Sequence, residues 1–407
     1  MKKFLSLLLV AALAMAMVTG CSSKKQDYGT GEITIWAPDL TVAFTEQKVA
    51  EFFEAHPEMA GYTVTVEAVG EADAASNMIT DVEGGADLFN FAQDQLARLV
   101  SAGALSPLSA ENAAWVAEQN DGGAVKAASM GDTVYAYPLT SDNGYFLYYD
   151  KSVITDPSTL EGIIAACEAA GKGFYMEINN GWYQTAFFFG AGCTLTYDTN
   201  DEGNFTACNV DYASEAGLGA LKTMINLHKS AAFTNGSDVT SATNAAAIVS
   251  GTWNSNAAKE LFGENYACAK LPTMDVNGTQ MQMSGFGGNK LLGVKPQTDA
   301  GKLAVCTELA KYLAGEEVQL ARYNEVGWGP SNLAAQQNEA VQADEALSAL
   351  AAQLNFCIPQ GQYPGDYWPL ATSLGDSILA GEYDNADDAA LMAVLQQFQD
   401  SCIGYAK

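Results

Sequence analysis

Glu32-Ile33-Thr34-Ile35-Trp36 alternates polar and apolar residues, the period of a half-buried strand. From Phe44 to Ala55 the period changes. Val49, Phe52 and Phe53 share one helical face, and His56-Pro57 stops it. Tyr62 to Val66 alternates again, a helical stretch runs through Asn77-Met78-Ile79, and Ala86 to Phe89 is a short apolar strand. This β-α-β-α-β order predicts a mostly parallel sheet with helices on both faces. A short helix over 93–100 follows, and Gly103 to Leu108 turns back across it. Tyr135 to Pro138 and Tyr145 to Asp150 read as an aromatic strand pair, with Ser141-Asp142-Asn143-Gly144 a polar break between them. That break is the predicted first crossing between two lobes.

The second half repeats the pattern. Helices are predicted over 157–170, 182–189 and 213–228, and a strand over 174–178. The segment between Cys193 and Cys208 reads as a hairpin folded about Asn200-Asp201. Residues 267–271 and 286–294 are strands, and Met283-Ser284-Gly285 between them is the predicted return crossing. Helical stretches over 299–323, over 336–353 and after Tyr367 end the chain.

The apolar run Ala245 to Val249 leads into Gly251-Thr252-Trp253-Asn254, which sets a flat ring at a strand tip, where open α/β sheets hold ligands. Gly181-Trp182-Tyr183 and Asp366-Tyr367-Trp368-Pro369 place two more tryptophans at loops or helix starts. Taken alone, each ring is as readily a core anchor as a platform for the apolar face of a sugar.

Lys2-Lys3, the apolar run Phe4 to Met17 and Val18-Thr19-Gly20-Cys21 read as an export signal. The run is shorter than the about 20 residues of a membrane span. The junction resembles the bacterial lipobox. It implies a signal over 1–20, lipidation at Cys21, a polar tether over 21–31, and a lipid-anchored protein on the outer face of the cytoplasmic membrane. No later stretch approaches a span, so the lipid is the only expected membrane contact.

Composition narrows the function. The 407-residue chain is too long for one ordinary core and suits two lobes. With 48 acidic against 19 basic residues, its formal net charge of -29 repels nucleic acid. His56 and His228, the two histidines, lack metal spacing, which argues against a zinc hydrolase. There is no G-x-S-x-G motif, and Glu177, Asp211 and Asp366 stand in no recognisable glycosidase context. Arg98 and Arg322 are the only arginines, which argues against an anion binder. No enzyme, metal or cofactor is expected. Asp198 to Gly203 loosely echoes a calcium loop, but its twelfth position is Asn209 and it reads as a hairpin turn. Cys193 and Cys208 stand opposite each other about the hairpin centre. They are expected to form a cross-strand disulfide, the alternative being two buried thiols. Cys306 falls on an apolar helical face, and Cys167, Cys268, Cys357 and Cys402 have no assignable partner.

The order of segments, nearly all of 31–404, resembles the bacterial extracellular solute-binding proteins that feed sugar ABC transporters, especially the maltose/maltodextrin type. The matching segments are Gly85 to Asp94, Tyr148-Tyr149-Asp150-Lys151, Gly251-Thr252-Trp253, Leu271-Pro272-Thr273 and the Trp368 region. The resemblance implies a two-lobed α/β periplasmic-binding-protein fold (type II), each lobe a mostly parallel sheet flanked by helices, joined by a multi-strand hinge. The N-lobe would comprise 32–141 and 286–335, the C-lobe 145–283 and 336–407, with crossings at 141–145 and 283–286. Phe91 falls where these proteins place an N-lobe tryptophan. Asp94 and Asp39 resemble carboxylates that accept from sugar hydroxyls. Trp182, with Tyr183 beside it, Trp253 and Trp368 match C-lobe platforms. A carboxylate expected before Trp182 is here Asn180, and the acidic hinge residue appears as Asn143 beside Asp142. The implied function is capture of malto-oligosaccharides by a monomer whose lobes close over the sugar, followed by delivery to an ABC permease. The alternatives are another oligosaccharide, or a surface glucan-adhesion module without a transporter.

Overall fold

The computed structural model describes residues 27–406. The expected signal and lipidated Cys21 lie outside the described residues. Strand β1 (Gly31–Ala37) pairs in parallel with both β2 (Tyr62–Ala68) and β3 (Leu88–Ala92), with helices Val42–Ala55 and Glu71–Thr80 between them. A two-residue hairpin follows, β4 (Ser129–Met130) and β5 (Thr133–Val134), and then β6 (Ala136–Asn143). The chain passes to a second sheet through β7 (Phe146–Asp150) and β8 (Gly173–Tyr175). A hairpin, β9 (Leu195–Thr199) with β10 (Phe205–Val210), precedes β11 (Phe233–Thr234), β12 (Ala245–Ser250) and β13 (Tyr266–Ala269). After the hairpin β14 (Thr273–Val276) and β15 (Thr279–Gln282), β16 (Phe286–Val294) returns to the first sheet, where β17 (Ile358–Pro359) later joins it.

The first sheet therefore runs β17-β16-β3-β1-β2, with β6 also on β16; the second runs β11-β8-β12-β7-β13. Each is parallel on its βα side and antiparallel where β16 or β7 is inserted. Helices cover both faces. Ile33, Ile35 and Leu88 pack on Phe44, Phe52 and Leu309 on one side of the first sheet, while Phe89 and Phe91 pack on Met78 and Leu96 on the other. Fully buried aromatics such as Phe174, Phe187 and Tyr367 form the largest cluster, under the second sheet. Side-chain caps fix where helices begin: Thr159 accepts from Gly162 N and Asp387 from Ala390 N. The helical stretch predicted over 299–323 is two helices, Ala300–Leu313 and Glu316–Val326, separated at Gly315.

Two local expectations change. The polar stretch 141–143 is not a break, since β6 continues through it and pairs with β16 at Asn143↔Gly288. Its polar groups find partners there: Ser141 Oγ donates to Asn289 Oδ1 at 3.0 Å. The Cys193–Cys208 disulfide is absent, and both thiols are free. Cys208 pairs with Tyr197, because the turn spans Asn200 to Asn204, further along the chain than the expected centre at Asn200-Asp201, and Cys193 precedes the strand. A phenol ring thus stands where the second thiol was expected.

Candidate functional site

Between the sheets lies a cleft of about 650 Å³, walled by the end of β3, by Lys290 in the middle of β16, by helix starts and by the crossing segments. Its aromatic side comes mainly from the second sheet. Asn180 caps the helix Gly181–Phe188, its side chain accepting from Trp182 N at 2.9 Å, so Trp182 and Tyr183 are presented in the first turn. The Trp182 ring stands edge-on to Tyr145 at 4.7 Å and lies 5.9 Å from Trp253 at 42°. Trp253 follows β12 in a single 3₁₀ turn. Gly251 permits this, since a Cβ there would fall 2.0 Å from the Trp253 ring. Trp368 begins the helix Tyr367–Leu379 and rests on Tyr367 at 4.9 Å. All three indoles are half-buried. Tyr183 and Asn143 also line the cleft.

The polar side comes mainly from the first sheet. Asp94, 2 % exposed, accepts from Gln360 Nε2 at 2.9 Å, and Gln360 Oε1 accepts from Trp182 Nε1 at 3.4 Å. One amide on the β17 crossing thus joins an acid of one sheet to a platform of the other. Burial pushes the Asp94 carboxyl up to about 7, against the opposing pull of Arg98. Burial also lowers the pKa of Arg98, whose Nε is buried without a hydrogen-bond partner. Glu177 Oε2 accepts from Ser237 Oγ at 2.7 Å. Lys290 Nζ lies 3.2 Å from Glu71 Oε1. Half-exposed rings facing carboxylates, amides and a guanidinium suit a neutral polyhydroxylated ligand with apolar ring faces. Among the described residues the cleft lining carries no histidine or cysteine, and no cluster of three or more potential ligands could hold a metal ion.

Three expected residues lie elsewhere. Phe91 is 0 % exposed and packs 5.6 Å from Phe89 beneath the sheet; strand alternation puts both on the face packed against Met78 and Leu96. Asp39 is exposed in a 3₁₀ turn, while its neighbours Pro38 and Leu40 line the cleft. Asp142 is 1 % exposed and turns away from the cleft. Its Oδ2 accepts from Thr252 Oγ1 and from Gly329 N, the latter at 2.5 Å, and it borders a second cavity of about 310 Å³ behind the crossing. It therefore steadies the segments that carry Trp253 and Trp328. Sequence reasoning missed Glu71, Lys290, Trp328 and Gln360 as cleft residues. Only Trp328 left a readable trace, since Gly327-Trp328 repeats the Gly-Trp form of Gly181-Trp182.

Residues 48–349 match the profile of the family described as bacterial extracellular solute-binding protein. The chain is 24% identical over 412 residues to the galactooligosaccharide-binding protein of Bacillus subtilis (strain 168), covering 94% of each chain. Among solved structures it resembles one with acarbose, at 26% identity and a TM-score of 0.81 over 93% of this chain and 100% of that one. It also resembles the maltodextrin-binding protein of L. casei BL23 without ligand, at 25% identity and a TM-score of 0.73 over 92% and 99%.

Proposed function

The chain belongs to the bacterial extracellular solute-binding proteins, and on that premise we propose that its solute is an oligosaccharide of the malto series, held in the inter-sheet cleft and delivered to an ABC permease. One observation carries the reading: three half-buried indoles, Trp182, Trp253 and Trp368, line a single cleft. Stacking on them removes the apolar faces of sugar rings from water. The ring hydroxyls exchange water for Asp94, Asn143, Asn180, Glu177 and Arg98, each gaining about 1–3 kcal/mol where the partner is charged. Closure couples binding to shape, because the closed state meets the ligand from both sides at once. The reading divides the chain into lobes of 32–141 with 286–335 and 145–283 with 336–407, and tethers a monomer by a lipid on Cys21 to the outer face of the cytoplasmic membrane. The solved structures bearing acarbose or described as maltodextrin binders favour the malto series. The galactooligosaccharide-binding relative favours a second candidate, the galacto series.

Titration calorimetry of residues 27–407 with malto-, galacto-, cello- and xylo-oligosaccharides tests this. The expected result is micromolar or tighter binding to the malto series, weakened about tenfold to a hundredfold in Trp182→Ala. Binding to the galacto series alone replaces the sugar and keeps the site. Binding to no sugar returns the three indoles to a structural role.

A further inference from the structure

Trp182 lies 5.9 Å from Trp253, and Trp253 in turn meets a charge. Lys290, on β16 and 6 % exposed, places its ammonium 4.9 Å from the Trp253 ring centroid and 3.7 Å from that of Trp328. Glu71, in the first turn of the helix Glu71–Thr80, balances it at 3.2 Å. Trp253 belongs to the second sheet and the other three groups to the first, so this contact spans the cleft. Trp328 is 2 % exposed, and its Nε1 is buried without a hydrogen-bond partner. A sugar ring entering between Trp253 and Trp328 would have to displace the ammonium. That would leave the buried Oε1 of the partly buried Glu71 without its counter-charge, a costly arrangement.

Resting on the oligosaccharide reading above, we propose that Lys290, seated on Glu71, is the end wall of the groove and fixes where the bound chain stops. An internal sugar unit continues into a glycosidic bond; a terminal unit ends in a free hydroxyl. The ammonium offers donors and Glu71 offers acceptors at this position, so the wall accepts a hydroxyl and blocks a continuing chain. The protein therefore selects chain ends and short oligomers over long ones. Trp253 serves as the last platform before it, and Trp328 supports the wall and carries no sugar.

The test reads length and end preference. In the wild-type protein, affinity is expected to stop rising at a definite oligomer length. Of two tetrasaccharides, one reduced at its reducing end and one substituted at its non-reducing end, one is expected to bind at least about tenfold more weakly and the other nearly as well as the parent. Equal tolerance of both modifications overturns the proposal, and this arm needs no variant. Lys290→Met together with Glu71→Gln keeps the bulk of the wall and removes both charges. The folded double variant is expected to lose about tenfold on the shortest ligand and to move the limiting length upward by at least one ring. A folded double variant with an unchanged length profile overturns the end-wall role while leaving oligosaccharide binding intact. A wild-type protein that binds no oligosaccharide overturns the sugar reading itself, a separate failure.

Discussion

Asp94 shows how one side chain can serve a site at the expense of the fold. Its folded carboxyl titrates at about 7 against 3.8 for the free group, with burial the largest cause. The folded state therefore holds more protons than the unfolded chain between those values, so stability falls as pH rises through that window and the penalty is constant above it. Asp94→Asn keeps an acceptor for Gln360 and removes the charge. It is expected to be more stable than wild type at pH 8 by ~2–4 kcal/mol, with the gap closing toward pH 4. Denaturant unfolding at pH 4, 6 and 8 measures this, and a gap independent of pH would sink it. The residue scale is also where sequence reading was most uneven. Trp182, Trp253 and Trp368 announced themselves through Gly-containing starts at strand and helix ends. Phe91 misled because its local motif fitted a platform, while strand alternation turned it under the sheet beside Phe89. Lys290 and Glu71 left no local signal at all, since their pairing across more than half the chain exists only after folding.

Among elements, periodicity located most strands and long helices because their burial is local and regular. The β9–β10 hairpin was found by its turn residues, yet its register was misplaced because the turn closes over Asn200 to Asn204, where Phe205 already pairs with Thr199. Gly203 holds a φ of +80° at the hairpin tip, and a Cβ there would lie 2.1 Å from the carbonyl oxygen of Ala97. Beside it, Ser101 Oγ donates to Asn204 Oδ1 at 3.1 Å. The tip thus leans on the helix Leu96–Ser101, which carries Arg98 into the cleft. Gly203→Ala combines backbone strain with a collision against backbone, and is expected to cost about 2 kcal/mol or more. The midpoint of thermal unfolding should fall, and amide exchange over 97–101 should quicken. An unchanged exchange rate in that helix would show that the hairpin does not brace it.

At the scale of the molecule, the two-lobed α/β arrangement was legible from segment order and from a length that one core cannot use. The composition of the cleft walls was not, because each wall draws on segments separated by most of the chain. The formal net charge of -29 is a property of the whole surface, and its self-repulsion opposes compaction. Raising sodium chloride from about 10 mM to about 200 mM shortens the screening length severalfold, and should raise the unfolding midpoint by a few degrees. A midpoint that falls with salt would mean that attractive pairs such as Lys302–Asp87, at 2.8 Å, outweigh the net repulsion.

Strand β16 sits between β3 and β6, yet it lies beyond the whole of the second sheet in the chain. As the polypeptide lengthens from its N-terminus, β1, β2 and β3 can pair early, but the slot between β3 and β6 stays vacant until residues 286–294 arrive. Loop-closure entropy makes so distant a pairing slow. The second core in turn waits for the helix Asp388–Gly404, whose Leu391, Leu395 and Phe398 complete it. Neither lobe of this protein can be finished before the other is well under way, and a half-made chain holds no completed lobe in which to settle.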